Sequence, residues 1–271
     1  MPLFFSMCVA LATILSAPAR PAPPSVVRPA PTIKAVPMTK KLIAFTFDDG
    51  PNRRYTPRVV ELLKQNHAHA TFFVIGQEVV RYPDVIQMLR NAGMEVGNHG
   101  LHHKYLRNIP AAAVKEDVTG GADAIVAAGG AKPYLYRLPA ALSDDTSRQV
   151  LGQLKYTIIS WSVDTRDWRR GQTPERIAKI VMRDAAPGRI VIMHDGPAHR
   201  EATMHAISQV LPALEAQGYR IVSVGELLRS SDFAAQRDIP PKPAPVAKPP
   251  AAKSRPHSRG WLQSIWPRRI S

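Results

Sequence analysis

Between residues 40 and 230, short runs of consecutive apolar residues alternate with stretches whose apolar positions recur every three or four residues. The short, β-prone runs predict strands at 42–47, 70–75, 95–98, 134–137, 156–163, 189–193 and 219–224. The periodic stretches predict helices at 56–66, 78–92, 110–128, 144–154, 174–186 and 204–217. Thr56 and Pro57 supply a cap and a first-turn proline, Pro83 breaks the second helix, and Gly129 and Gly218 stand at helix ends. Repeated β–α alternation predicts a parallel sheet flanked by helices, closed into a barrel or doubly wound. The almost continuously apolar strands fit burial on both faces.

Composition changes the picture at the two ends. The chain has 271 residues and 26 prolines, which crowd between Pro18 and Pro37 and again between Pro240 and Pro256. Residues 3–17 form an apolar run before Ala17-Pro18-Ala19, the pattern of a secretory signal peptide with its cleavage site. The n-region carries only the terminal amine, so an uncleaved anchor stays open as an alternative. The predicted organisation is therefore a signal peptide at 1–19, a Pro-rich linker at 20–39, one catalytic-sized domain at 40–230 and a basic Pro/Ala-rich disordered tail at 231–271. The expected location is outside the cytoplasm, periplasmic or extracellular.

Charge and cysteine usage narrow the chemistry. Of the formal net charge of +15, residues 40–230 carry +6 and the flanks +9. The folded part is only mildly basic, and the tails are suited to cell wall or another anionic surface. Nucleic acid is not the expected partner, and a monomer is the expected state. The single cysteine, Cys8, lies in the predicted signal peptide. A metal site in the mature chain must then use nitrogen and oxygen ligands.

Parallel β/α barrels carry their chemistry at the carboxyl ends of the strands. Five predicted strands end in ionisable groups: Asp48-Asp49-Gly50-Pro51, His99 with His102-His103, Arg137, Asp164 with Asp167-Trp168, and His194-Asp195. In isolation the first is also a good tight turn. His99 and His103 are spaced so that two imidazoles can meet one ion from a helical turn.

The ordered set Thr46-Phe-Asp-Asp-Gly-Pro51, His99-x3-His103, Arg137-x-Pro139, Asp164-x2-Asp167-Trp168 and Ile192-x-His194 resembles the five motifs of the polysaccharide deacetylases, carbohydrate esterase family four. The resemblance implies a distorted β/α barrel and hydrolysis of N-acetyl groups on a polysaccharide of N-acetylglucosamine type, peptidoglycan or chitin-like. It implies Zn2+ on Asp49, His99 and His103, with other divalent metals possible. It makes Asp48 the general base, Arg137 the cation that keeps it ionised, His194 the general acid and Asp167 its orienting partner. Trp168 and Ile192 would line a pocket for the acetyl methyl, and the Ala140 backbone N–H would face the oxyanion.

The chain departs from the family pattern at four places. Gly100 stands where Ser or Thr is usual and Lys104 where Pro is usual; Ala140-Ala141 replaces an aromatic residue and glycine. The loss of the hydroxyl at Gly100 predicts a looser loop around His103, and the missing ring predicts an altered substrate groove. His102 occupies a non-ligand position of the pattern. His67, His69, His199 and His205 read as surface residues, Asp164 as a loop support, and Asp195-Gly196-Pro197 as a turn. Two other functions stay open: a non-catalytic glycan-binding module, and deacylation of an acetyl-xylan ester or a small cyclic amide.

Overall fold

The computed structural model describes residues 28–231. The predicted signal peptide and most of the predicted tail lie outside the described residues. In chain order the strands are β1 (Thr32–Ile33), β2 (Leu42–Asp48), β3 (Thr71–Val74), β4 (Glu95–Asn98), β5 (Leu135–Tyr136), β6 (Thr157–Ile159), β7 (Val163–Asp164), β8 (Ile190–His194) and β9 (Arg220–Val222). The helices are α1 (Thr56–Gln65), α2 (Gly76–Arg81), α3 (Pro83–Asn91), α4 (Ala111–Ala127), α5 (Asp145–Gln153), α6 (Pro174–Asp184), α7 (Glu201–Ala216) and α8 (Val224–Arg229), with one 3-10 turn at Pro139–Ala141.

Every strand pair is parallel, in the order β1-β6-β5-β4-β3-β2-β8-β7, with β9 joined to β2. The expected distorted barrel is thus a curled half-barrel whose path of paired strands stays open between β1 and β7. β2 is its hub: Leu42–Ala44 pairs β9, Ala44–Asp48 pairs β8, and Thr46–Asp48 pairs β3.

Side chains alternate across β2 with the two-residue period of a strand. Ile43, Phe45 and Phe47 face the helices and pack in one cluster with Val59, Leu63 and Leu211. Leu42 and Ala44 face the concave side, with Phe73, Leu135, Ile159, Ile190, and Leu227 and Leu228 from α8. Burying each large side chain contributes roughly 1.5–3 kcal/mol. This apolar floor supports the charged groups that follow on the same inner row. Thr46 and Asp48 continue that row on β2, and Ile192 and His194 continue it on β8.

Three differences from the predicted elements go beyond shifted ends. The predicted strand 156–163 is two strands: β6 pairs β5 and β1, whereas β7 crosses to pair β8. Ser160 N–H donates to Ile33 and Ser162 N–H to Ile190, so this connection spans the open side of the half-barrel. The apolar run hides the break because both halves are buried.

Part of the predicted linker belongs to the fold. Ala30, Ile33 and Val36 are buried, β1 pairs β6, and Val36 N–H donates to Gly188. Pro31 is tolerated because β1 is an edge strand and its carbonyl accepts from Ile158 N–H. Finally, α8 has no counterpart among the predicted helices, since its six residues are too few to show periodicity. The Ser223 side chain caps it by accepting from Glu226 N–H.

Candidate metal centre

The first motif sits where β2 leaves the sheet. Asp48 is its last residue, and Asp49 follows in the left-handed region at φ 71°. That reversal turns two adjacent carboxylates in different directions, a separation the sequence could not show. Asp48 Oδ1 accepts from Arg137 Nη1 at 2.7 Å. Asp49 Oδ1 instead lies 3.6 Å from His99 Nε2 and 3.4 Å from His103 Nε2. His103, at φ 55°, is half-buried on the loop after β4.

Candidate ligand atoms of Asp49, His99 and His103 all lie within 4.8 Å of one another. Asp49 Oδ1 is buried and makes no hydrogen bond among the described residues. A buried carboxylate oxygen normally has a partner, so an unpaired one facing two imidazole nitrogens suits a cation. His99 Nδ1 lies 2.7 Å from the Arg137 carbonyl. That contact fixes the proton on Nδ1 and leaves the Nε2 lone pair free, as a metal-binding imidazole requires. Burial drives the His99 pKa down to about 3, with Asp49 opposing and His103 assisting. The ring is therefore neutral at physiological pH. The donor set fits a divalent metal with nitrogen and oxygen preference.

Arg137 is fully buried, yet every nitrogen is used. Nη1 donates to Asp48 Oδ1 and to Thr46 Oγ1 (2.6 Å), Nε to Ile159 O (3.1 Å) and Nη2 to Ser160 O (3.2 Å). Its guanidinium also lies 4.2 Å from the Phe73 ring centroid. A cation held this way fixes the position of the Asp48 carboxylate.

Asp167 and His194 form the second charged pair. His194 Nδ1 is 2.7 Å from Asp167 Oδ1, and Asp167 Oδ2 accepts from His194 N–H and Thr203 Oγ1, both at 2.9 Å. Burial opposes charge on His194, but the Asp167 hydrogen bond and charge, with the charges of Asp48 and Asp49, outweigh it and raise the pKa to about 8. Asp48 and His194 are register partners across β2 and β8. Nε2 of His194 is left on the same inner row as the Asp48 carboxylate.

The remaining sequence candidates divide. Ile192 is buried on the inner row of β8, two residues before His194; Trp168 is 55% exposed beside Asp167. Ala140 and Ala141 both have positive φ, 52° and 57°. Thus the turn keeps a glycine-like backbone without glycine, a conformation that costs alanine about 1 kcal/mol or more. His67, His69, His199 and His205 are exposed and away from this cluster. Asp164 Oδ1 accepts from Arg166 N–H, a loop support.

The loop carrying His103 is held more firmly than its glycine suggests. Asp117, buried on α4, accepts from Leu101 N–H, His102 N–H and His102 Nδ1. Gly100 has φ 82°, and a Cβ there would collide with Asp117 Oδ2. The carboxylate occupies the space of the missing side chain, so the expected loosening is not what the geometry shows. His102 points its Nδ1 at Asp117, outside the ligand cluster.

Two residues escaped the sequence reading. Asp195 is no mere turn: it is fully buried, accepts from Thr56 Oγ1 at 2.5 Å, and burial raises its pKa to about 7. Arg200, also buried, places Nη2 3.8 Å from Asp49 Oδ2. No spacing or composition signal marks it, because its partner lies 151 positions earlier.

Known proteins resemble this chain in sequence and in fold. The family model described as polysaccharide deacetylase matches residues 35–159. A peptidoglycan-N-acetylglucosamine deacetylase of Bacillus cereus is 39% identical over 196 residues, covering 72% of this chain and 91% of the relative. The crystal structure of a peptidoglycan N-acetylglucosamine deacetylase bound to an N-hydroxybenzamide superposes with TM-score 0.71 at 26% identity, over 74% of this chain and 94% of that one. A carbohydrate esterase family 4 pseudoenzyme from Bacillus anthracis superposes with TM-score 0.68 at 29% identity, over 74% and 69%. Fold alone therefore does not separate active from inactive relatives, and catalysis has to be argued from the side chains. With motifs, half-barrel and a relative 39% identical over most of its length in agreement, the chain belongs to the polysaccharide deacetylase family.

Proposed function

We propose that the chain is a metal-dependent N-deacetylase of a polysaccharide containing N-acetylglucosamine-type residues, with peptidoglycan favoured and chitin-like glycan next. The observation that carries this reading is the unpartnered Asp49 Oδ1 facing two imidazole Nε2 atoms, beside an Asp48 that Arg137 holds separately.

Asp49, His99 and His103 would hold the ion, and zinc suits their donors. Such an ion supplies Lewis acidity, bringing water's pKa to about 7 and polarising the acetamide carbonyl. The protein's own groups do the rest. Asp48, held in place by Arg137, accepts the proton of the attacking water. The Ala140 N–H is the candidate donor to the developing oxyanion. His194, kept protonated by Asp167, delivers a proton to the departing amine nitrogen, and acetate and the free amine are the products. Ile192 and the Trp168 ring would bound the acetyl methyl, where one methyl is worth about 1–3 kcal/mol, so longer acyl groups are excluded by size.

The apolar run at 3–17 supports an exported protein that meets its substrate outside the cytoplasm. The basic flanks would favour an anionic wall, and a monomer satisfies the site, since all its groups come from one chain. The test is acetate release from N-acetylated glycans by the zinc-loaded protein, followed by mass spectrometry of the fragments. Loss of acetyl mass is expected, abolished by a chelator and restored by zinc. Glycan binding without any acetate release would replace this reading with that of a non-catalytic module. Faster turnover of a matched acetyl ester than of the amide would replace it with an esterase.

A further inference from the structure

The loop that delivers Asp167 to His194 continues into a strongly basic concavity. It measures about 380 Å3 and is lined by Arg166, Arg169, Arg170, Arg176, Lys179 and Arg183, with Gly171, Gln172 and Ile180 and no acidic residue. All six cations are exposed. Arg176, Lys179 and Arg183 recur at helical spacing and so share one face of α6. Arg166 has Asp164 at 4.0 Å and Arg183 has Asp184 at 2.7 Å. Arg169, Arg170, Arg176 and Lys179 have no carboxylate within ion-pair distance among the described residues.

Like charges gathered in one hollow repel one another, and a concave wall focuses their field. An arrangement of this kind is relieved by an anion. Its position adds the second argument. Arg166 flanks Asp167 directly, and Arg169 lies 5.3 Å from the ring centroid of Trp168, the exposed aromatic beside the charged pair. A polymer threaded past Trp168 to the metal centre would meet these cations next.

We infer that this hollow is a subsite for acidic groups, carboxylate or phosphate, carried by the glycan a few units away from the acetamide being hydrolysed. The inference rests on the polysaccharide reading above and deepens it: the preferred substrate is an acidic glycan. Guanidinium groups suit both anions through paired N–H donors. The same cations also suit single-stranded nucleic acid, but the adjacency of Arg166 to Asp167 and the contact of Arg169 with Trp168 favour a glycan bound at the metal centre.

The test compares the full chain with the triple variant Arg170→Glu/Arg176→Glu/Lys179→Glu, three exposed positions outside the catalytic machinery. Each is assayed, zinc-loaded, on peptidoglycan fragments with free peptide carboxylates and on neutral chitopentaose. Expected is a KM raised about 10-fold or more on the acidic fragments, with kcat/KM on chitopentaose unchanged within about twofold. Raising salt from about 0.05 to 0.3 M should reproduce the loss in the unmodified protein.

Direct binding by calorimetry keeps the two readings apart if no turnover is found on either substrate. Polygalacturonate oligomers probe the carboxylate source and inorganic polyphosphate the phosphate source, and at least one must bind the unmodified chain more tightly than the triple variant. Equal loss on acidic and neutral substrates, no loss on either, equal binding by both proteins, or tighter binding of single-stranded DNA than of either anionic probe overturns the inference.

Discussion

Asp167 grips His194 twice, accepting from the ring at Nδ1 (2.7 Å) and from the backbone N–H of the same residue (2.9 Å). One carboxylate thereby sets both the position of the imidazole and its charge. Burial works against charge on each partner, yet the pair raises the His194 pKa to about 8 and lowers that of Asp167.

A proton donor works only while protonated, so kcat should fall on the alkaline side. A bound cation opposes protonation, which places that limb at or below about 8 in the loaded protein. Asp167→Asn should move the limb toward acid by about one pH unit or more and lower kcat by about 10²–10⁴-fold. The stability sign follows from the same shift. The raised His194 pKa contributes stability fully present below its unfolded value of about 6.5 and lost as pH rises through about 8. Melting of the metal-free protein between pH 5 and 9 should show that loss, and Asp167→Asn should flatten it.

Asp48→Asn should retain metal but lose about 10²–10⁴-fold in kcat, because an amide cannot take the water's proton. It should also lower stability, by about 3 kcal/mol, since it strips the counter-charge from a fully buried Arg137. Metal content, acetate release and denaturant unfolding check the three parts separately. A variant as stable as the parent would contradict the assigned weight of this ion pair.

Arg200→Met should weaken zinc binding by about 10–100-fold, the usual effect of removing a group that orients a ligand from behind. The reason is its contact with Asp49 Oδ2, the oxygen turned away from the two histidines. Chelator competition measures this without reference to turnover, and Arg200→Lys should recover part of the loss.

Gly100→Ser, which restores the residue type usual in the family, should destabilise this chain by more than about 1 kcal/mol. Serine would have to adopt φ 82° and displace Asp117 from the Leu101 and His102 amides. Urea unfolding gives the magnitude, and an accompanying drop in metal affinity would follow from the loosened His103. An unchanged or more stable protein would show that Asp117 does not fill the space.

Much of the site was legible because its residues follow buried strands. The inner row of β2 ends in Asp48 and that of β8 ends in His194, so alternation and strand ends together point to both. The β1 strand was hidden among prolines, where composition outweighed two residues of pairing. The split between β6 and β7 was hidden for the opposite reason, an apolar run with no punctuation. The firmness of the Gly100 loop is invisible in the sequence because Asp117 reads as an ordinary polar position of a helix, and only the fold buries it against the loop.

The sequence by itself determined the class of fold, the chemical types on the barrel rim and their order along the chain. Those follow from periodicity and from short spacings, which the backbone converts directly into shared faces and strand ends. Tertiary structure alone decided which carboxylate oxygen meets which imidazole nitrogen. It also decided that Arg137 serves Asp48 from 89 positions away, and that Arg200 and Asp117 brace the ligands. Such contacts depend on how a curled sheet brings distant strand ends together, and no local pattern of residues encodes that distance.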